Sequence, residues 1–494
     1  MSFLTCTAGD PKFWPAYIRH TVLLNICVFV FMGNMYAAGI ATGFVPLAMD
    51  FHVSFSKLSD LISYPVLAMG VGNIVWTPTA ICLGKRPVII VSMAVFLASC
   101  IWSYKAQTFD SLLASRVIAA FGAGSIESLG PAMIGDMYRE RYFATAMALF
   151  SLFLSGGSQI GPMIAGFLIT DKGWRWFFLL CAILIAANLA LMLVFLPETN
   201  YRRVLFEGET AQDADKHAEE MVEQVEKSAG FTTDVDATQL NPPYAGSYWK
   251  DLVSFGERGT EEKGLLGWPR QFSLPFLFLL VPHALFAAAT YGIFLGGVVA
   301  VSTLSPQLFS APPYLFKASG LGLFSASSFI GIVLGYPIAG PLTDLLSRAF
   351  ARSSREEHHV PEHRMPALIV PFLVCPPGLM LFAYIVSEQR SVYIAAVGIA
   401  MQTAALVFVP SVVLSVVMDA FPVNGSEALV LINAGKNAVA FGVTLGTPRW
   451  FASQGLVDIF WELAAMEWGL LALGLPLENS SKLTEATPSL APGG

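Results

Sequence analysis

Residues 174–196 read WRWFFLLCAILIAANLALMLVFL, a run in which Arg175 and Asn188 are the only strongly polar side chains. Coiled as an α-helix rising 1.5 Å per residue, it is about 35 Å long, which is enough to cross a hydrocarbon layer of about 30 Å. A run of this length and apolarity is too long for a strand and has no polar face to turn toward water. The same kind of stretch recurs along the chain, at 22–46, 58–80, 87–104, 109–134 and 143–169 before it, and at 273–300, 318–342, 366–386, 392–418, 427–447 and 455–477 after it.

Twelve such stretches fall in two groups of six, parted by a charged segment. The pattern predicts an all-α membrane protein with twelve transmembrane helices in two six-helix bundles. The domains expected are a cytoplasmic N-terminal segment at 1–21, a first bundle at 22–196, a cytoplasmic linker at 197–272, a second bundle at 273–477 and a cytoplasmic tail at 478–494. Composition agrees, because 55% of the residues are hydrophobic and 13% are charged, where a soluble fold carries about 25% charge. Gly and Pro, 42 and 30 in number, suit membrane helices whose neighbours satisfy freed backbone groups. The acidic residues behind the net charge of −7 collect in loops and tails and leave no nucleic-acid footprint. Cysteines inside apolar runs (Cys27, Cys100, Cys181, Cys375) lack metal-ligand spacing and read as small apolar residues. The first apolar run is long for a cleavable signal and no small-residue cleavage site follows it closely, so none is expected.

Basic residues in short loops set the sidedness. Lys12 and Arg19, Lys85 and Arg86, Arg139 and Arg141, Arg202 and Arg203, and Arg348, Arg352, Arg355 and Arg364 all fall on one side. That side is expected to be cytoplasmic, with both termini on it. The other side carries mostly single basic residues, Lys57, Lys105, Lys317 and Arg390, with Lys172 and Arg175 as its weakest point. Within the linker, EGETAQDADKHAEEMVEQVEK at 207–227 could form a surface helix, and the Pro, Gly and aromatic mixture around NPPYAGSYW at 241–249 reads as a tether.

A charged or polar side chain inside an apolar run is costly unless it faces a cavity or a partner. Glu127 lies in AFGAGSIESLGPAMIGD, residues 120–136, where it could take up a proton, bind a cation or be held by neighbouring serines. Lys436 lies in LINAGKNAVAFG, residues 431–442, on one face with Asn433 and Asn437. Its partner is expected in Glu427 or Asp419, or in an anionic ligand or water. Asn34, Gln159, His283 and Gln402 are further candidates to line a cavity or seal a helix interface. In GGSQIGPMIAG, residues 156–166, Gly157, Gly161 and Gly166 allow close backbone approach while Pro162 bends the helix, a combination suited to gating.

These residues in this order resemble the major facilitator superfamily, and within it the fungal drug:proton antiporter branch with twelve spans. The run at 156–166 is similar to that branch's antiporter motif, and Arg116 in LLASRVIAAFGAG resembles the family's arginine of the fourth span, which implies a part in proton coupling. Between the second and third spans the cytoplasmic signature is reduced to Gly84, Lys85 and Arg86, with Thr77 and Ile81 where the family has its first Gly and its Asp. The counterpart GPLTDLLSR, residues 340–348, keeps Gly340, Asp344 and Arg348, which implies a cytoplasmic latch at Asp344. FLPETNYRR, PEHRMP and SEALVLINAGKN resemble a fungal cluster of polyamine-type permeases and secondary-metabolite exporters. The resemblance implies proton-coupled export of an amphipathic organic compound by alternating access, with small-cation uptake or a non-transporting sensor as the alternatives. It implies a monomer without cofactor, not an enzyme, whose partners are the lipid bilayer, a small organic substrate and protons. The membrane expected is the plasma membrane, with the vacuolar or another internal membrane as the alternative.

Overall fold

The computed structural model describes residues 11–138, 140–200, 267–353, 367–420 and 425–477. All regular structure among them is helical. Hydrocarbon offers no water to an exposed peptide group, so a chain this apolar satisfies its backbone within each segment. The helices are α1 (Ala16–Gly39), α2 (Phe44–Phe51), α3 (Phe55–Leu58), α4 (Asp60–Leu83), α5 (Lys85–Lys105), α6 (Phe109–Ala123), α7 (Ser125–Met137), α8 (Glu140–Lys172) and α9 (Trp174–Phe195), followed by α10 (Trp268–Leu277), α11 (Pro282–Ser310), α12 (Ala318–Ser353), α13 (Ile369–Ser387), α14 (Val392–Ala420), α15 (Gly425–Gln454) and α16 (Leu456–Leu477). Among the described residues, 11 helical stretches are long and apolar enough to cross a membrane. The helix α16 is 22 residues long and carries Asp458, Glu462 and Glu467, which lower its apolarity.

Breaks fall where the backbone chemistry asks for them. Between α1 and α2 the chain tightens into a 3-10 turn at Ile40–Gly43. The apolar stretch expected at 273–300 is not one helix: α10 ends at Leu277, a 3-10 turn covers Phe278–Leu280, Val281 is extended, and α11 begins at Pro282 and runs on to Ser310. The cause is Pro282, whose ring pushes the preceding residue out of the helical region and which has no N–H to give. The run of α10 crosses back to the first half, where Trp268 Nε1 donates to Thr79 Oγ1 at 3.0 Å.

Buried apolar side chains form two large clusters. One is drawn from residues 14–196, with Ala440 added, and includes Phe29, Tyr36, Phe96 and Phe178; the other is drawn from residues 278–471 and includes Phe294, Phe309, Phe382 and Phe460. Between them α4 packs on α15 and α8 packs on α12. At one face, His20 meets Tyr138 at 3.0 Å, Lys85 pairs with Asp136, and the Glu198 carboxylate accepts from the backbone N–H of Lys85 (3.1 Å) and Arg86 (3.2 Å). Glu198 thus supplies acceptors for the unpaired first N–H groups of α5. Gly84, with φ +98°, makes the turn that exposes them, and the Arg86 guanidinium donates to Leu193 O at 3.1 Å. At the opposite face, Trp174 Nε1 donates to Asp50 at 2.7 Å, Tyr314 donates to Arg390 O at 2.8 Å, and the Ser319 N–H donates to Thr170 Oγ1 at 2.9 Å.

Candidate functional site

The site begins with two glycines. A Cβ on Gly72 of α4 would lie 2.6 Å from Phe121 O, and one on Gly124, between α6 and α7, would collide with Met69 O. Only bare backbone lets these helices approach so closely, and the approach sets Asn73 beside Glu127 in the first turn of α7. From α15, Asn433, Lys436 and Asn437 project on one face toward the same point, as their spacing requires.

Three donors converge on Glu127 Oε2: Lys436 Nζ at 3.3 Å, Asn437 Nδ2 at 3.3 Å and Asn73 Nδ2 at 3.2 Å. The side chains of Lys436 and Glu127 are 4% and 5% exposed, so little water screens the pair. A buried ion pair needs its remaining hydrogen-bonding capacity filled, and here neighbours fill it. Ser128 Oγ donates to Asn73 Oδ1 at 2.7 Å, Asn433 Nδ2 reaches Glu127 O and Ser128 Oγ at 3.4 Å each, and the ammonium lies 4.8 Å from the centre of the Tyr291 ring. An ammonium over an aromatic face at that distance is further stabilised by the ring quadrupole.

The pair forms part of the wall of a cavity of about 100 Å³ between the two halves. Asn34 and Gln159 face it from the first half, Tyr291 and Asn437 from the second, and aliphatic side chains, Met69 and the hydroxyls of Ser155, Ser158 and Ser302 complete the wall. A second cavity of about 30 Å³ shares Val298 and Ser302 with it; Thr42 and Pro162 line it from the first half and Ser328, Gln402 and Thr403 from the second.

Of the residues singled out in the sequence, Asn34, Glu127, Gln159, Lys436 and Asn437 therefore meet at the central cavity, and Asn433 braces it from behind. Lys436 pairs with Glu127, across the halves, where Glu427 or Asp419 was the partner expected; Glu427 opens the same helix as Lys436, and Asp419 lies at the end of α14 with its side chain outside the described residues. Gln402 lines the second cavity and pairs with Glu467 of α16. His283 is buried at the start of α11, its Nε2 without a hydrogen-bond partner, and lines neither cavity.

Arg116 is fully buried but lies outside the cavity wall. Its guanidinium donates to three backbone carbonyls, Leu61 O at 2.8 Å, Tyr36 O at 3.2 Å and Ala37 O at 2.8 Å, and stacks on the rings of Tyr36 and Phe178. The Tyr36 and Ala37 carbonyls stand just before the tightened turn at Ile40–Gly43, where the helical hydrogen-bond ladder changes step. Gly157 and Gly161 pack against the backbone of α1 at Phe31 and Met35, whereas Gly166 packs against Ala318 O and Gly322 of α12. Gly340, Asp344 and Arg348 fall on α12, with their side chains outside the described residues.

Asn73, Tyr291 and Glu467 were not singled out in the sequence, and Ser128, expected as one of the serines that could hold Glu127, donates instead to Asn73. Asn73 and Ser128 are ordinary small polar residues until the helices are packed. Glu467, in LAAMEWGLLAL, carries the same signal as Glu127, a carboxyl inside an apolar run.

Residues 24–444 match the Major Facilitator Superfamily. The chain belongs to that superfamily. It is 24% identical over 416 residues to a probable efflux pump of Aspergillus flavus, covering 83% of this chain and 89% of that protein. It is 22% identical over 476 residues to the cycloheximide resistance protein of Candida maltosa, covering 94% of this chain and 79% of that one. Among solved structures, the xylose transporter XylE of E. coli in a partially occluded inward open conformation superposes with a TM-score of 0.62 at 13% identity, over 93% of this chain and 99% of that one. The human organic anion transporter MFSD10 superposes with a TM-score of 0.54 at 17% identity, over 93% of this chain and 100% of that one. At these identities the solved structures speak for the fold alone. Membership places this chain among non-enzymatic, secondary-active transporters of small organic solutes, and the cavity between the halves is where such a superfamily member would hold one.

Proposed function

We propose that the protein is a proton-coupled exporter of an amphipathic organic compound, working by alternating access between two six-helix bundles. The observation that carries this reading is the Glu127–Lys436 pair, in which a carboxylate of one half and an ammonium of the other meet in the cavity wall. A proton added to Glu127 removes its charge and leaves Lys436 buried without a counter-ion. The arrangement that was stable with the pair is then unstable, and the halves gain a reason to separate there. Cargo and proton bias the same contact, which is what coupling requires.

The wall supports the choice of cargo. Glu127 and Lys436 cancel each other, and the rest is apolar surface with amide and hydroxyl groups, which suits a molecule with a greasy body and a few hydrogen-bonding groups. Uptake of a small organic cation is less well supported, since the carboxylate that would neutralise it already holds an ammonium. Export accords with the efflux and drug-resistance names of the relatives. We place twelve spans in the plasma membrane of a monomer, with 1–21, 197–272 and 478–494 cytoplasmic; residues 1–10, 201–266 and the whole tail lie outside the described residues.

The decisive measurement is flux in vesicles containing the purified protein, with cargo chosen by comparing metabolites retained in cells that have or lack the transporter. An imposed pH difference should drive cargo accumulation in vesicles. Glu127→Gln should bind cargo yet lose the response to the pH difference; a variant with intact pH-driven flux would remove Glu127 from the coupling.

A further inference from the structure

Apart from the Glu127–Lys436 pair, the second half holds a carboxyl that the scheme above does not use. Glu467 lies on α16 with no measurable exposure. Its Oε1 accepts one hydrogen bond, from Gln402 Nε2 on α14. Its Oε2 has no partner, and neither has Gln402 Oε1. Among the described residues, no cation lies within ion-pairing distance of it. The backbone of α11 closes over the contact at Gly297, where a Cβ would lie 3.0 Å from both Gln402 Nε2 and Glu467 Oε1. From α13 comes the buried thiol of Cys375, a titratable group of no help to an anion. On α15, Lys436 is engaged by Glu127 and Arg449 acts on Asp60 of α4, and Glu462 and Asp458 of α16 itself are acidic.

An ionised carboxylate taken wholly out of water with one neutral donor is strongly disfavoured. One proton resolves the whole contact. Placed on Glu467 Oε2, it makes that atom a donor and gives the unpartnered Gln402 Oε1 a hydrogen to accept. A cyclic pair of a carboxylic acid with a primary amide, two hydrogen bonds in one ring, would then give each polar atom of the contact a partner. We infer that Glu467 is a second proton-binding site of this protein, holding its proton through pairing with Gln402. Gln402 also lines the smaller cavity between the halves. The proton is therefore one side chain away from a space that changes when the halves move, and turning the Gln402 amide into that space would strip the carboxyl of its partner. This deepens the proton-coupled reading and rests on it for its part in transport.

Infrared spectroscopy of the full-length protein in lipid tests the site without any flux measurement. At neutral pH the wild-type protein should show a protonated-carboxyl C=O band, moved by deuterium exchange, that is lost in Glu467→Gln. Gln402→Leu should keep the band but move it toward the position of an unpaired acid. Identical carboxyl regions in wild type and Glu467→Gln would overturn the proposal, as would a band indifferent to Gln402→Leu; the latter variant keeps the test alive should Glu467→Gln fail to fold. In vesicles, Glu467→Gln should lose pH-driven flux while retaining cargo binding. Absence of pH-driven flux in the wild type would sink the coupled reading and leave the infrared result standing, whereas wild-type coupling with no Glu467 band would sink this site alone.

Discussion

Lys436 would be an expensive residue to keep buried were it not for the single carboxylate oxygen it faces. Because the pair is almost completely out of solvent, removing one member strands the other, at a cost of about 3–5 kcal/mol. Lys436→Met should therefore lower the thermal unfolding midpoint in detergent clearly. Adding Glu127→Gln to it should restore most of the loss, since a neutral amide and a thioether leave no buried charge. If the double variant is as unstable as the sum of the singles, Glu127 and Lys436 do not act as a pair. Arg116 shows the other way to bury a cation, with backbone carbonyls in place of a counter-ion. The sequence marked Lys436 as costly and Arg116 through its likeness to a family arginine, and it did not say how either charge is met. Which oxygens a buried cation meets depends on helices far away in the chain.

At the level of elements, the packing of α8 on α12 closes the opposite face. Gly166 lies against Ala318 O, and a Cβ on Gly322 would come within 2.8 Å of Pro162 O and 3.0 Å of Met163 O. Small residues let two backbones slide into contact and out again without side chains interlocking. Gly322→Val should prise the two helices apart at that end. Spin labels on the opposite-face ends of α8 and α12 would report longer distances in this variant than in the wild type; unchanged distances would mean that some other contact holds the face shut. The antiporter-like run at 156–166 was legible as a close-packing surface. That its partners are α1 at Gly157 and Gly161 but α12 at Gly166 was not, because the side of a helix that a glycine opens is chosen by what packs there. The break before Pro282 goes against the single stretch expected at 273–300, and the change of step at Ile40–Gly43 falls just before Pro46, which has no N–H to give back to residue 42.

At the scale of the molecule, two apolar clusters with two main helix pairs between them suit halves that rock as bodies. The sidedness proposed from the basic loops places the face of Lys85, Asp136 and Glu198 in the cytoplasm. A single cysteine introduced at residue 230 of the linker should accordingly be shielded in intact cells from a membrane-impermeant thiol reagent and become reactive once the cells are opened. Labelling in intact cells would reverse the orientation.

Length and composition alone determined that this chain is an all-α membrane protein with many spans, because hydrocarbon accepts few backbone solutions and a helix of about 20 apolar residues is the simplest of them. Cost alone pointed to Glu127 and Lys436, since a charge in an apolar run needs a reason. What only the tertiary structure decided is how those costs are met: Glu127 with Lys436 across 309 positions of chain, Glu467 with Gln402 across 65, and Arg116 with the carbonyls of Tyr36, Ala37 and Leu61. Apolar periodicity records which residues avoid water, and it carries no record of which helix lies next to which. Partnership between buried polar groups is a property of that neighbourhood, so it appears only when the helices are packed.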